Sequence, residues 1–147
     1  MTVKKINFLG RHLTREGAAI HFESQETYLD DIVRSMSLEG CRVATTTGTY
    51  LVRRLEGYDS PLDQMTHKRY HSLVGKLAWA SPIRPDLACA VKELARGLAS
   101  PTEEDWAKLK NVVRYLTGSL EHRFTVLPKI KITLGTTLEL EAFADSD

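Results

Sequence analysis

At 147 residues, with 42% apolar and 27% charged side chains, the chain has the composition of one soluble globular domain with room for a real core. Twenty basic against nineteen acidic residues leave a net charge of +1, which argues against the broad positive field of an autonomous nucleic-acid binder. Cys41 and Cys89 have neither C-x-x-C spacing nor neighbouring histidines, no apolar run nears the roughly 20 residues that span a bilayer, and Met1 to Asn7 lacks a signal peptide's apolar centre. A zinc site, a disulfide framework, a membrane anchor and export are therefore not expected, and an intracellular, reducing setting is.

In chain order, the first predicted element is a β-hairpin from Phe8 to Phe22. Apolar Ile6, Phe8, Ile20 and Phe22 alternate with polar residues around Thr14-Arg15-Glu16-Gly17, where glycine can supply a positive φ. Tyr28, Leu29, Ile32, Val33 and Met36 then recur at helical spacing, with Ser24 or Thr27 as a cap and acids near the positive end. Residues 41–65 have threonines, glycines and Asp59-Ser60-Pro61 but little periodicity, and read as an extended linker. A second helix is predicted from Thr66 to Ala80, with Tyr70, Leu73, Val74 and Leu77 inward. Pro85 closes the break at Ser81 to Arg84 and opens a third helix, Asp86 to Ala99. In the fourth, Thr102 and Asp105 have capping-box spacing, Trp106, Leu109, Val113 and Leu116 form the inward stripe, and Gly118 is the stop. Phe124 to Leu127, Ile130 to Leu134 and Leu138 to Ala144 read as strands. The fold class is α+β: an N-terminal β-hairpin, a mainly helical bundle and a short C-terminal β segment.

Charge is uneven along this layout. From Trp106 to Lys131 the basic residues are Lys108, Lys110, Arg114, Arg123, Lys129 and Lys131, against Glu121 alone, whereas every charge after Gly135 is acidic. Lys110, Asn111 and Arg114, with Thr117, fall at spacings that place them on one face of the fourth helix, opposite the inward stripe. Such a face suits the phosphates of a nucleic-acid backbone, and it equally suits a solvated surface. Lys76 and Arg84 are further candidates of the same kind, although Arg84 beside Pro85-Asp86 also suits a local ion pair. Tyr28-Leu29-Asp30-Asp31 has the letters of the polymerase Y-x-D-D motif, but its flanks are polar upstream and helical downstream. The tight hairpin that presents two carboxylates to magnesium is not indicated there. The histidines are scattered and no glycine-rich phosphate loop occurs.

The separations of three motifs are the most specific signal. Tyr70-His71-Ser72-Leu73-Val74-Gly75-Lys76-Leu77 precedes Arg84-Pro85-Asp86-Leu87-Ala88-Cys89-Ala90-Val91, and Trp106 to Gly118 follows. In order and spacing this resembles the segment after the polymerase palm in copia-type (Pseudoviridae) retrotransposon Pol polyproteins. There Y-R-x-x-V-G-x-L, R-P-D-[IL]-x-x-A-V and H-W-x-x-x-K-R-[IV]-[LV]-R-Y-L-x-G lead into ribonuclease H. Phe8-Leu9-Gly10 and Gln25-x-x-Tyr28-x-x-Asp31 match stretches that follow the family's catalytic pair, and Ala144-Asp145-Ser146-Asp147 is similar to its S-D-A-D. His71 and Asp105 depart from the usual arginine and histidine.

The resemblance implies that residues 1–40 end the reverse transcriptase palm, 41–65 link, 66–120 form a thumb-like region, and 121–147 comprise the connection and first strand of a truncated ribonuclease H domain. It implies a parent that copies RNA into DNA with magnesium and deoxynucleotides, acting in a cytoplasmic virus-like particle or the nucleus. The expected partners are an RNA/DNA primer-template duplex and the remainder of the polyprotein. Asp145 would be the first metal-binding carboxylate of ribonuclease H, in an incomplete site, so no cofactor is expected for the isolated chain and no complete active site for either reaction. The alternative is a non-catalytic helical interaction module or a decayed retroelement relic.

Overall fold

The structure is a computed structural model that describes residues 4–24, 27–48 and 60–127. It is α+β, as the element pattern predicts: among the described residues an antiparallel sheet accompanies four helices. Strands β1 (Lys4–Phe8), β2 (Arg11–Glu16) and β3 (Ala19–Ser24) form a meander, and β4 (Phe124–Val126) adds to β3, giving the order β1-β2-β3-β4. The single hairpin expected from Phe8 to Phe22 is thus half of a longer meander. Gly17 (φ 62°) makes the anticipated turn, and a second two-residue turn, Leu9–Gly10, joins Phe8 to its partner Arg11. Both turn residues take positive φ, 49° and 72°, the requirement of a tight turn that follows the strand twist. Glycine does this freely and leucine only with strain, so the sequence gives no turn signal there.

Helix α1 (Tyr28–Ser35) buries Leu29, Ile32 and Val33, the face its apolar spacing marks out; Thr27 precedes it without a side-chain cap bond. Asp30 and Asp31 lie in its first turn, and Asp30 pairs with Arg34 at 2.6 Å. Helix α2 (Gln64–Ala80) starts two residues before the expected Thr66 because Asp63 caps it, accepting from the amides of Met65 and Thr66 at 2.9 and 3.1 Å. Helix α3 (Pro85–Arg96) opens on Pro85. Helix α4 (Glu103–Thr117) has the capping box that its sequence spells: Thr102 Oγ1 accepts from the Asp105 amide, and Asp105 Oδ2 accepts from the Thr102 amide at 3.0 Å.

All four helices share one core. Ile32 and Val33 of α1 meet Tyr70, Leu73, Val74 and Leu77 of α2, Leu87, Val91 and Leu94 of α3, and Leu109, Val112, Val113 and Leu116 of α4. Tyr28 Oη donates to the Lys76 carbonyl at 3.1 Å and Arg69 Nη2 to the Ser35 carbonyl at 3.0 Å, so α1 runs antiparallel to α2. Trp106, expected on the inward stripe, is only partly buried at the edge of this core, and Val112 takes the central place. The described parts of the linker are pinned along α4. Asn111 Nδ2 donates to the carbonyls of Thr46 and Gly48, Arg114 O accepts from the Ala44 amide, and Leu62 N donates to Pro101 O. The strands expected at 130–134 and 138–144, and Asp145 beyond them, lie outside the described residues.

Candidate nucleic-acid interface

Helices α2 and α4 bring the cationic candidates together around one indole. Arg69 of α2 and Lys110 of α4 both stand over the Trp106 ring, at 5.6 and 5.8 Å from its centroid. That is within cation–π range, so one ring engages a cation from each helix, and both residues are exposed to water. Lys110 is four residues after Trp106 and therefore shares its face, rather than standing opposite it. One helical turn further along α4, Arg114 is exposed. On α2, Lys76 is two turns after Arg69 on the same stripe, and with Ser35, Arg69, Ser72 and Leu73 it lines a shallow concavity.

Other expected contacts are placed differently. Arg84 is 2% exposed and its guanidinium is fully engaged: Nε and Nη2 donate to Asp86 at 2.9 and 2.7 Å, Nη1 to the Ser119 carbonyl at 2.9 Å, and Nη2 to Ser119 Oγ at 2.8 Å. Of its two sequence readings, the local ion pair is the one the fold builds, and the side chain does not reach the surface. Tyr115 Oη joins the network, donating to Asp86 Oδ2 at 3.0 Å. Burial pushes the Asp86 carboxyl up, but the hydrogen bonds and charge of Arg84, with Tyr115, outweigh it and hold the group below the usual carboxylate range. Asn111 spends its amide donors on the linker. Lys108 is held by Glu104 at 2.8 Å, which removes one cation from the row.

His71 and His67 both set Nε2 against the Leu98 carbonyl, at 2.6 and 3.2 Å, so these imidazoles serve the α3–α4 connection. Among the described residues no three His, Cys, Asp or Glu side chains gather as metal ligands, and no helix is long and apolar enough to cross a membrane. Arg69 is the one residue of the cluster that sequence reading passed over. Its signal was present as the partner of Lys76 seven positions on, but only the α2–α4 packing shows that it shares Trp106 with Lys110.

No protein-family model and no solved structure matches the chain. Several curated relatives do, among them the following. The retrovirus-related Pol polyprotein from transposon RE2 of Arabidopsis thaliana is 33% identical over 140 residues, which is 95% of this chain and 9% of that protein. The corresponding polyprotein from transposon RE1 of the same plant is 30% identical over the same shares. An uncharacterized mitochondrial protein of Arabidopsis thaliana is 28% identical over 95% of this chain and 54% of its own length. The chain is thus a homologue of the copia-type retrovirus-related Pol polyproteins, matching one segment of them, as its motif order implies.

Proposed function

We propose that this chain is the part of a retroelement reverse transcriptase that holds an RNA/DNA primer-template duplex in register, through Arg69, Lys76, Lys110 and Arg114. The observation that carries the reading is the pair of cations fixed over Trp106 by two different helices. A duplex presents phosphates at regular intervals, and cations held on a rigid pair of helices meet them with less loss of side-chain freedom than free lysines would. In this reading the polymerase carboxylates and the further ribonuclease H ligands that would hold magnesium belong to other segments of the polyprotein; Asp145, the first of those ligands by resemblance, lies outside the described residues. The described residues offer no ligand cluster, and no step through the metal is assigned to them.

The test is binding of an RNA/DNA hybrid across a salt series. Affinity of the natural sequence falls steeply with salt, and replacing Lys110 and Arg114 together by alanine lowers affinity and reduces the log–log slope by about 2, about one unit per lost phosphate contact. An unchanged slope removes the assignment from α4. A second reading, a relic that acts only as a helical interaction module, is favoured by the match to more than half of an uncharacterized mitochondrial protein. Absence of hybrid binding at every salt concentration supports it.

A further inference from the structure

Two imidazoles of α2 converge on one backbone oxygen. His67 and His71 stand one helical turn apart and so project from the same face of α2. Their ring centroids are 4.9 Å apart, with the planes tilted by 41°. Each sets Nε2 against the Leu98 carbonyl oxygen, His67 at 3.2 Å and His71 at 2.6 Å. One N–H donor would satisfy that carbonyl, yet the fold brings two nitrogens to it.

The oxygen is held in place independently of them. Leu98 packs its side chain against the core, and its amide donates to the Ala95 carbonyl at 3.2 Å. Gly97 lies so close to the α4 capping box that an added Cβ would stand 2.9 Å from Asp105 Oδ2. The carbonyl is thus placed by α3 and α4, and the two nitrogens by α2. Two donor atoms bound at about 2.1 Å to one transition ion are about 3.0 Å apart at a right angle and about 3.4 Å apart at a tetrahedral one. The observed N···O separations, 2.6 and 3.2 Å, are close to such edges, so small side-chain rotations admit an ion among the three atoms. His71 is exposed and His67 half-buried, which leaves the remaining coordination positions to water.

We propose that His67 Nε2, His71 Nε2 and the Leu98 carbonyl form a site for one divalent transition ion of the zinc, copper or nickel class, which clasps α2 to the α3–α4 connection. Imidazole nitrogen selects that class, whereas magnesium takes oxygen ligands, so the site is separate from the magnesium of polymerase chemistry. It uses two side chains and a carbonyl, fewer than the three-side-chain grouping that is absent among the described residues. On binding, each neutral imidazole moves its proton from Nε2 to Nδ1 and presents the freed Nε2 electron pair to the ion. The copia-type pattern has arginine where this chain has His71, and a guanidinium does not ligate a metal. The site is therefore a property of this chain rather than of the pattern it shares.

The experiment titrates zinc chloride into the full, untagged chain after treatment with a chelator, with magnesium chloride as the parallel titrant. Zinc binds saturably at one ion per chain, raises the thermal unfolding midpoint and shifts the ring resonances of His67 and His71 together; magnesium does none of these. His71→Arg and, separately, His67→Gln retain the far-ultraviolet circular dichroism and weaken zinc binding by about tenfold or more, since losing a ligand costs at least as much as losing its outer-shell support. Replacing Cys41 and Cys89 together by serine leaves the zinc affinity unchanged. No saturable zinc uptake, equal uptake of magnesium, affinity indifferent to both histidine variants, or affinity lost with the cysteines would each overturn the proposal. Should a histidine variant fail to fold, the natural sequence still decides, because zinc-induced shifts centred on His12, His21 or His122 in place of His67 and His71 would overturn it too.

Discussion

Replacing Arg84 by methionine is expected to lower folding stability by about 2 kcal/mol, because the four hydrogen bonds of a buried guanidinium are lost while Asp86 keeps Tyr115 Oη as a donor. Methionine fills most of the volume, so the loss reports on charge and hydrogen bonding more than on a cavity. Arg84 joins the α2–α3 connection to the first turn of α3 through Asp86 and to the end of α4 through Ser119. Without it, the buried Ser119 carbonyl keeps only the His122 amide at 3.1 Å, and the exposed Asp86 carboxylate keeps Tyr115 Oη. Urea unfolding at neutral pH measures the difference. Its pH dependence has a definite sign. Asp86 is held below its ordinary range in the folded state, so its contribution is present above the unfolded carboxylate pKa and lost as pH falls through the folded one. The gap between the two proteins therefore narrows in acid. Arg84→Lys recovers only part of the loss, because an ammonium lacks the planar fork that spans both Asp86 oxygens.

Tyr70→Ala is expected to cost about 4 kcal/mol, the range for emptying a buried aromatic site. Tyr70 is fully buried among α2 and α3 residues, and its hydroxyl donates to the Leu94 carbonyl at 2.6 Å. Burial, and then the charge of Asp105, push its phenol well above the usual tyrosine range, so the ring stays neutral throughout the working pH range. Tyr70→Phe isolates the hydrogen bond. The Leu94 carbonyl also accepts from the Gly97 amide at 3.1 Å, so this variant leaves no orphaned acceptor and costs only about 1 kcal/mol. Thermal or urea unfolding of both variants separates packing from hydrogen bonding. Equal losses would show that the phenol oxygen, and not the ring, ties α2 to α3.

What the sequence made legible was local. The Thr102/Asp105 capping box, the proline that opens α3 and the apolar face of α1 depend on neighbours within one or two turns, and each is present as read. The turn at Leu9–Gly10 was not legible because leucine is a poor residue for positive φ. Helical spacing aligns Trp106 with Leu109, Val113 and Leu116 and so turns it inward; the fold instead uses its face to hold Arg69 and Lys110. The role of Arg84 could not be decided from sequence because its second partner, Ser119, is 35 residues away. The candidate interface lay between these extremes. Lys110 and Arg114 were found by helical spacing, whereas Arg69 joined them only through packing of two helices.

The most direct measurement is a map of backbone amide chemical-shift changes as an RNA/DNA hybrid is added to the isotope-labelled chain. The account predicts that the changes gather on α2 from Arg69 to Lys76 and on α4 from Trp106 to Arg114, fade as salt is raised, and leave Ile6, Phe8 and Leu13 unmoved. Changes centred on the sheet with α2 and α4 silent would contradict it.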